Sequence, residues 1–203
     1  MTKDTFRLSR GQLSAFMAAT LSLAYAQGGL DATTVFPLDG VWSLATDPQN
    51  VGREQKWFEI KQLTEAKPAK VPWIIQEAFP GYHGVAWYSR DFTAPANPRA
   101  HGRVLLRFWQ VDYQAEVWLN GVPVGGHEGG ETPFTLDVTA AVKPGQVNRL
   151  TVRVLNPTEA PIDGIRLSET ARRCKEGGAK FVAGGSYNHG GITESVELLC
   201  VPS

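Results

Sequence analysis

Prolines at 68, 72, 80, 95, 98, 144, 157 and 161 cut the 203-residue chain into pieces in which no long helix can run. A proline inside a helix removes a backbone donor and collides with the preceding turn. The runs left between them are short and read as strands. In "LTVRV" (150–154) Leu150, Val152 and Val154 share one face while Thr151 and Arg153 take the other, the pattern of a half-buried strand. "FTLDV" (134–138) repeats the alternation with Phe134, Leu136 and Val138 inward, and "VLLRF" (104–108) is more continuously apolar, as in a central strand. Similar segments surround Val41–Leu44, Trp87–Phe92, Ala115–Leu119 and Val196–Cys200. Many short strands separated by turn residues predict an all-β fold, and at this length a two-sheet sandwich rather than a barrel.

The clearest local signal is "VWLNGVPVGGHEGGETPF" (117–134). Asn120-Gly121 between apolar flanks predicts a two-residue hairpin, because a type I′ turn needs positive φ at both central positions. Trp118-Leu119 and Val122–Val124 are then antiparallel neighbours. Gly125-Gly126 reads as the point where the chain leaves the ladder, which makes His127–Gly130 a polar loop at one end of the sandwich. Loops carried on a rigid β scaffold are where binding residues concentrate. The stretch from Asn156 to Ser186, rich in charge and glycine, reads as a long excursion before the last strand.

Composition narrows the function. Twenty Lys and Arg balance twenty Asp and Glu, so no net field draws nucleic acid or an anionic membrane surface. At the N-terminus, Lys3, Arg7 and Arg10 precede an apolar run from Leu13 to Tyr25 that ends in Ala24-Tyr25-Ala26. This order is that of a secretory signal peptide over residues 1–26, and it predicts a secreted or periplasmic mature domain over 27–203 with no membrane span. Cys174 and Cys200 then form a disulfide or remain two thiols, and spacing does not decide between them.

Chemistry is sparse. The histidines at 83, 101, 127 and 189 show no metal-ligand spacing, so neither a metal nor a cofactor is expected. Ser186 lies in "GGSYN", without the closing glycine of a nucleophile elbow, and there is no phosphate loop. No catalytic residue is assigned. The aromatics carry more: Trp73, Tyr82, Trp87, Tyr88, Trp109, Tyr113, Trp118 and Tyr187 are of the kinds on which sugar rings stack, although most of them are needed to fill the core.

Taken in order, "LDGVWSLATDPQNVG" (38–52), "VPWIIQEAFPGYHGVAWYSRDF" (71–92), "VLLRFWQVDYQAEVWLNGVPVGGHEGGETPFTLDVT" (104–139), "NRLTVRV" (148–154) and "NHGGITESVEL" (188–198) closely resemble the N-terminal domain of glycoside hydrolase family 2. That resemblance implies a galactose-binding-like jelly-roll β-sandwich that binds sugar. It also implies that hydrolysis belongs to a separate barrel of roughly 250 residues, for which 203 leave no room. The implied partners are a carbohydrate ligand or the catalytic domain of a glycoside hydrolase. The alternatives are a component of such an enzyme or a protein-interaction module. Two loops match those that face the substrate pocket in the family, and they nominate His127, Glu128, Tyr187, Asn188 and His189 as a shallow ligand-binding set. The match departs at Ile192-Thr193-Glu194, where relatives carry an arginine, and at Gly185, where some carry an aspartate.

Overall fold

The computed structural model describes residues 33–96, 102–170 and 188–202. Among the described residues twelve strands pair, antiparallel throughout. The smaller main sheet holds four, in the order β1 (Thr34–Pro37), β12 (Val196–Val201), β5 (Arg103–Phe108) and β9 (Phe134–Asp137). The larger holds six: β3 (Lys67–Val71), β2 (Gly40–Asp47), β4 (Gly84–Thr93), β10 (Val147–Asn156), β7 (Gln114–Leu119) and β8 (Val122–Glu128). A two-stranded ribbon of β6 (Val111–Asp112) and β11 (Gly191–Ile192) sits at one end, and the only α-helix among the described residues is the single turn α1 (Ile75–Ala78). This is the expected all-β, two-sheet sandwich.

The core lies between the sheets. Leu150, Val152 and Val154 of β10, Tyr88 of β4 and Trp42 and Leu44 of β2 pack with Leu106 and Phe108 of β5 and Leu198 of β12. The hairpin forms as expected, with Asn120 at φ 54° and Gly121 at φ 80°. Its Asn120 side chain donates to Ala141 O and accepts from the Arg149 N–H, which ties the turn to the start of β10. Both margins of the larger sheet carry proline, Pro68 in β3 and Pro123 in β8, where a missing donor leaves no partner strand unsatisfied.

The sequence reading fails in two places. It made β10 half-buried, yet Thr151 and Arg153, on the face away from the core, are also buried. A third layer accounts for this. Residues 48–66 fold back across the outside of the larger sheet, and a turn of 3-10 helix at Trp57–Glu59 sets Trp57 and Phe58 over Trp87 and Trp118. Phe58 stacks on Trp118 at 5.0 Å, Trp87 lies 5.3 Å from Trp118, and Val85, Leu155, Ile162 and Ile165 complete this second apolar cluster. The buried Asp47 carboxylate fastens the lid by accepting from the Val51 N–H (2.9 Å), the Gly52 N–H (2.8 Å) and the Trp87 indole N–H (3.0 Å). Beside it Arg153, 0% exposed, donates to Glu116 (2.7 Å), Asn50 (2.7 Å) and Asp163 (2.5 Å). Arg53 pairs with the same Asp163. Four separate stretches of chain therefore meet at one guanidinium.

The second failure concerns Gly125-Gly126, which does not end the ladder. Strand β8 continues through both glycines to Glu128, with a bulge opposite Val117/Trp118, so that His127 faces Ala115 and Glu128 faces Gln114 across the pair. The two glycines have different reasons: Gly125 sits at φ 134° beside the Leu136 side chain, and a Cβ on Gly126 would lie 2.4 Å from Ala115 O, too close for any side chain. His127 and Glu128 are strand residues, and the loop starts at Gly129.

Candidate functional site

Of the five nominated residues, Tyr187 lies outside the described residues. The other four meet one end of the sandwich, held there by the β6/β11 ribbon. Gly191 pairs with Asp112, and the next residue, Tyr113, donates its backbone N–H to Leu155 O and accepts from the Gly129 N–H. The chain ends of β8, β10 and β11 thus converge on Asp112-Tyr113. Gly130 lies against the Asp112 carboxylate, where a Cβ would come within 2.7 Å.

Being adjacent in a strand, His127 and Glu128 point to opposite faces of β8. The His127 ring stacks on Phe134 (4.7 Å) and its Nε2 meets the Thr132 hydroxyl at 2.7 Å, so it is spent on joining β8 to the 129–134 turn. Glu128 turns the other way. It accepts from the Tyr113 hydroxyl at 3.2 Å and lines a cleft of about 210 Å³ with Tyr113, Gly164, Ile165, Arg166, Glu169 and Thr170. Exposed, and with a single hydrogen bond from Tyr113, Glu128 keeps acceptor capacity for a hydroxyl.

Asn188 is 1% exposed and belongs to a buried polar knot. Its amide N–H donates to Pro157 O (3.0 Å) and its oxygen accepts from Asn156 (3.0 Å). Asn156 in turn accepts from Gln76 (3.1 Å) and meets His83 Nδ1 at 2.8 Å. The knot ties the approach to β11 to the end of β10 and to the segment after α1. Asn188 shapes the end of the sandwich from below, while the next residue, His189, is exposed at the surface.

Sequence reasoning missed His83, Asn156 and Gln76, and the only available signal was that polar side chains flank Pro157 and Gly84. An open concavity also escaped it. A groove of about 770 Å³ runs over the outside of the larger sheet, floored by Ser43 and its register partner Ser89 and edged by Lys61, Gln62, Asp91 and Arg149. Within it Arg149 holds Asp91 through two hydrogen bonds of 2.7 and 3.0 Å, which keeps that carboxyl below the usual carboxylate range, and also reaches Ile60 O and Lys61 O. Among the described residues no group of three His, Cys, Asp or Glu converges to hold a metal ion, and no helix is long and apolar enough to cross a membrane. Cys200 is buried in β12, and Cys174 lies outside the described residues.

Residues 72–202 match the family described as "Glycosyl hydrolases family 2, sugar binding domain". The β-glucuronidase of Paenibacillus borealis is 38% identical over 124 residues, covering 59% of this chain and 20% of that protein. The β-glucuronidase of Rattus norvegicus is 31% identical over 185 residues, covering 82% and 28%. Among solved structures, the β-glucuronidase of Ruminococcus gnavus superposes with a TM-score of 0.68 at 26% identity, over 84% of this chain and 28% of that one. Its complex with uronic deoxynojirimycin gives 0.67 at 27%, over 84% and 29%. The chain spans between 20% and 34% of the length of such curated relatives.

Proposed function

The chain belongs to the sugar-binding domain family of the family 2 glycosyl hydrolases, and we propose that it is a carbohydrate-binding accessory domain for β-glucuronide hydrolysis. In this reading its Glu128 cleft contacts the sugar, and glycosidic cleavage is done by a catalytic domain outside these 203 residues. The observation that carries the reading is the convergence of both family-matched segments on Asp112-Tyr113, with the Glu128 carboxylate accessible in a cleft beside them. Glu128 and His189 offer polar atoms to hydroxyls, Tyr187 lies two positions before His189 in the sequence, and Asn188 and His127 hold the surrounding backbone.

A few hydrogen bonds at about 1 kcal/mol each give roughly millimolar affinity for a monosaccharide. Titrating the 203-residue chain with methyl β-D-glucuronide by NMR should shift amides of residues 112–113, 128–130 and 189–191. Glu128→Ala should abolish the shifts with a melting temperature within about 2 °C of the parent. Asn188→Ala should instead lower the melting temperature, because it strands buried partners. Saturating glycoside that moves none of these amides rejects the site.

The charge-then-apolar pattern from Lys3 to Ala26 supports export, with the mature chain starting at Gln27. Expression in a bacterium with an intact secretion system should give a periplasmic product whose mass corresponds to residues 27–203. A full-length product retained in the cytoplasm contradicts this.

A further inference from the structure

The groove on the outer face of the six-stranded sheet is left unused by the Glu128 reading. Trp42, Leu44 and Tyr88 point into the core between the sheets, so Ser43 and its register partner Ser89 stand on the outer face. So do Asp91, two residues further along β4, and its partner Arg149 in β10. Arg149 also donates to Ile60 O (2.9 Å) and Lys61 O, which seats the end of the lid beside these residues. The result is an open concavity of about 770 Å³ with a sheet floor and a lid wall.

Its charge is one-sided. The chain as a whole balances twenty Lys and Arg with twenty Asp and Glu, yet Lys61, Lys67, Arg90 and Arg149 line the groove against Asp91 alone. That carboxylate is spent on Arg149, through bonds of 2.7 and 3.0 Å. Lys67 and Arg90 come from the core side of their strands, and their hydrogen bonds go to backbone carbonyls: Ala78 O for the lysine, Leu38 O and Asp39 O for the arginine. The exposed Lys61 ammonium makes no hydrogen bond or ion pair among the described residues. Its charge does act at the groove, since it adds to Arg149 in lowering the Asp91 carboxyl.

The uncharged groups are those of a polyol site. The Ser43 and Ser89 hydroxyls and the Gln62 amide also have no hydrogen-bond partner among the described residues. Directly opposed strand residues hold their Cβ atoms roughly 5 Å apart, close enough for both serines to reach hydroxyls of one sugar ring. Val41, 71% exposed, adds an apolar contact. The one aromatic residue lining the groove among those described is Trp42, whose ring is packed in the core, so no face is open for a nucleobase to stack on.

The geometry points to this groove as a binding site for an acidic oligosaccharide, one whose sugars carry carboxylate or sulfate groups. Lys61 pairs with the acidic group, Ser43, Ser89 and Gln62 take ring hydroxyls, and the charges of Lys67 and Arg90 favour an anion. The site does not rest on the Glu128 cleft: that cleft adjoins the Leu155 end of β10, and the groove lies at its Arg149 end.

Isothermal titration of the 203-residue chain with the β-1,4-linked tetramers of glucose, glucuronic acid and 6-sulfated glucose tests this. At about 20 mM salt at least one acidic tetramer should bind about tenfold tighter than the neutral one, and about 200 mM salt should remove most of that advantage by screening. Which acidic tetramer binds distinguishes carboxylate from sulfate. Lys61→Gln should weaken the acidic tetramer about fivefold, and Lys61→Arg should retain it. Ser43→Ala with Ser89→Ala should weaken it by about the same factor. Melting temperatures should stay close to the parent, because none of these side chains has a partner to lose. Glu128→Ala should leave the binding unchanged. Equal affinity for acidic and neutral tetramers, binding unaffected in a folded Lys61→Gln variant, or equally tight binding of an oligonucleotide of the same charge overturns the assignment. So does loss of acidic-tetramer binding in Glu128→Ala, which would put the ligand in the other cleft.

Discussion

Trp87→Ala is expected to lower the unfolding free energy by about 3–5 kcal/mol, and the melting temperature by roughly 10 °C for a domain of this size. The ring is 1% exposed and lies between Trp57 at 6.1 Å and Trp118 at 5.3 Å. It is the plate on which the 48–66 lid rests: a Cβ on Gly52 would come within 2.5 Å of the indole nitrogen, so backbone and ring touch directly. Truncation opens a cavity under the lid and removes one of the three donors that balance the buried Asp47 carboxylate. Trp87→Phe keeps most of the packing and loses the indole hydrogen bond, so its cost should be about 1–3 kcal/mol. Urea unfolding followed by far-UV circular dichroism measures both. A cost below about 1 kcal/mol for Trp87→Ala would show that the lid is not a packed layer.

Arg153→Ala should be comparably damaging, about 3 kcal/mol or somewhat more, because a fully buried charge that balances two carboxylates is removed. Arg153→Met, which fills the same space, should recover part of the packing but not the pairing. The same network sets the response to acid. Burial by itself would raise the Asp163 carboxyl, but the Arg153 charge, with Asn50 and Arg53, outweighs it and holds the group below the usual aspartate range. A carboxyl depressed in the folded state stabilises fully above its unfolded value near 3.9 and loses that contribution as pH falls through the lower folded value. Between pH 6 and pH 3 the parent should therefore lose stability more steeply than Arg153→Met. Equal slopes for the two proteins would mean that Asp163 is not linked to Arg153.

Periodicity made the sandwich legible. The alternation in 134–138 and 150–154 and the Asn-Gly turn each place their residues where the structure has them, because those segments answer to two local rules, period two and positive φ. The third layer was not legible for the same reason. Residues 48–66 carry many charges and no period, and only the adjacent Trp57-Phe58 hinted at burial; a segment without regular structure writes its packing in tertiary contacts alone. This is also why the outer face of β10 was misread: the polar Thr151 and Arg153 look solvated until the lid and the carboxylates of Glu116 and Asp163 are in place. At the candidate site the sequence reading nominated four described residues, His127, Glu128, Asn188 and His189, that lie at one end of the sandwich. It misjudged the chemistry of single residues, since Gly125-Gly126 has the composition of a turn while serving a positive φ and a close strand approach inside β8, and since Asn188 is polar yet buried by partners that lie more than thirty positions away.

The prolines at the two margins of the six-stranded sheet have a consequence for self-association. A strand from a second copy that tried to extend the sheet beyond β3 would find no N–H at Pro68 and lysines at 67 and 70. Beyond β8 it would find Pro123 and a bulged backbone. Sheet proteins that leave flat, fully bonded margins are prone to join edge to edge into fibres. Here both margins of the six-stranded sheet repel recruitment, so the domain can reach a high local concentration without that sheet growing from one copy to the next.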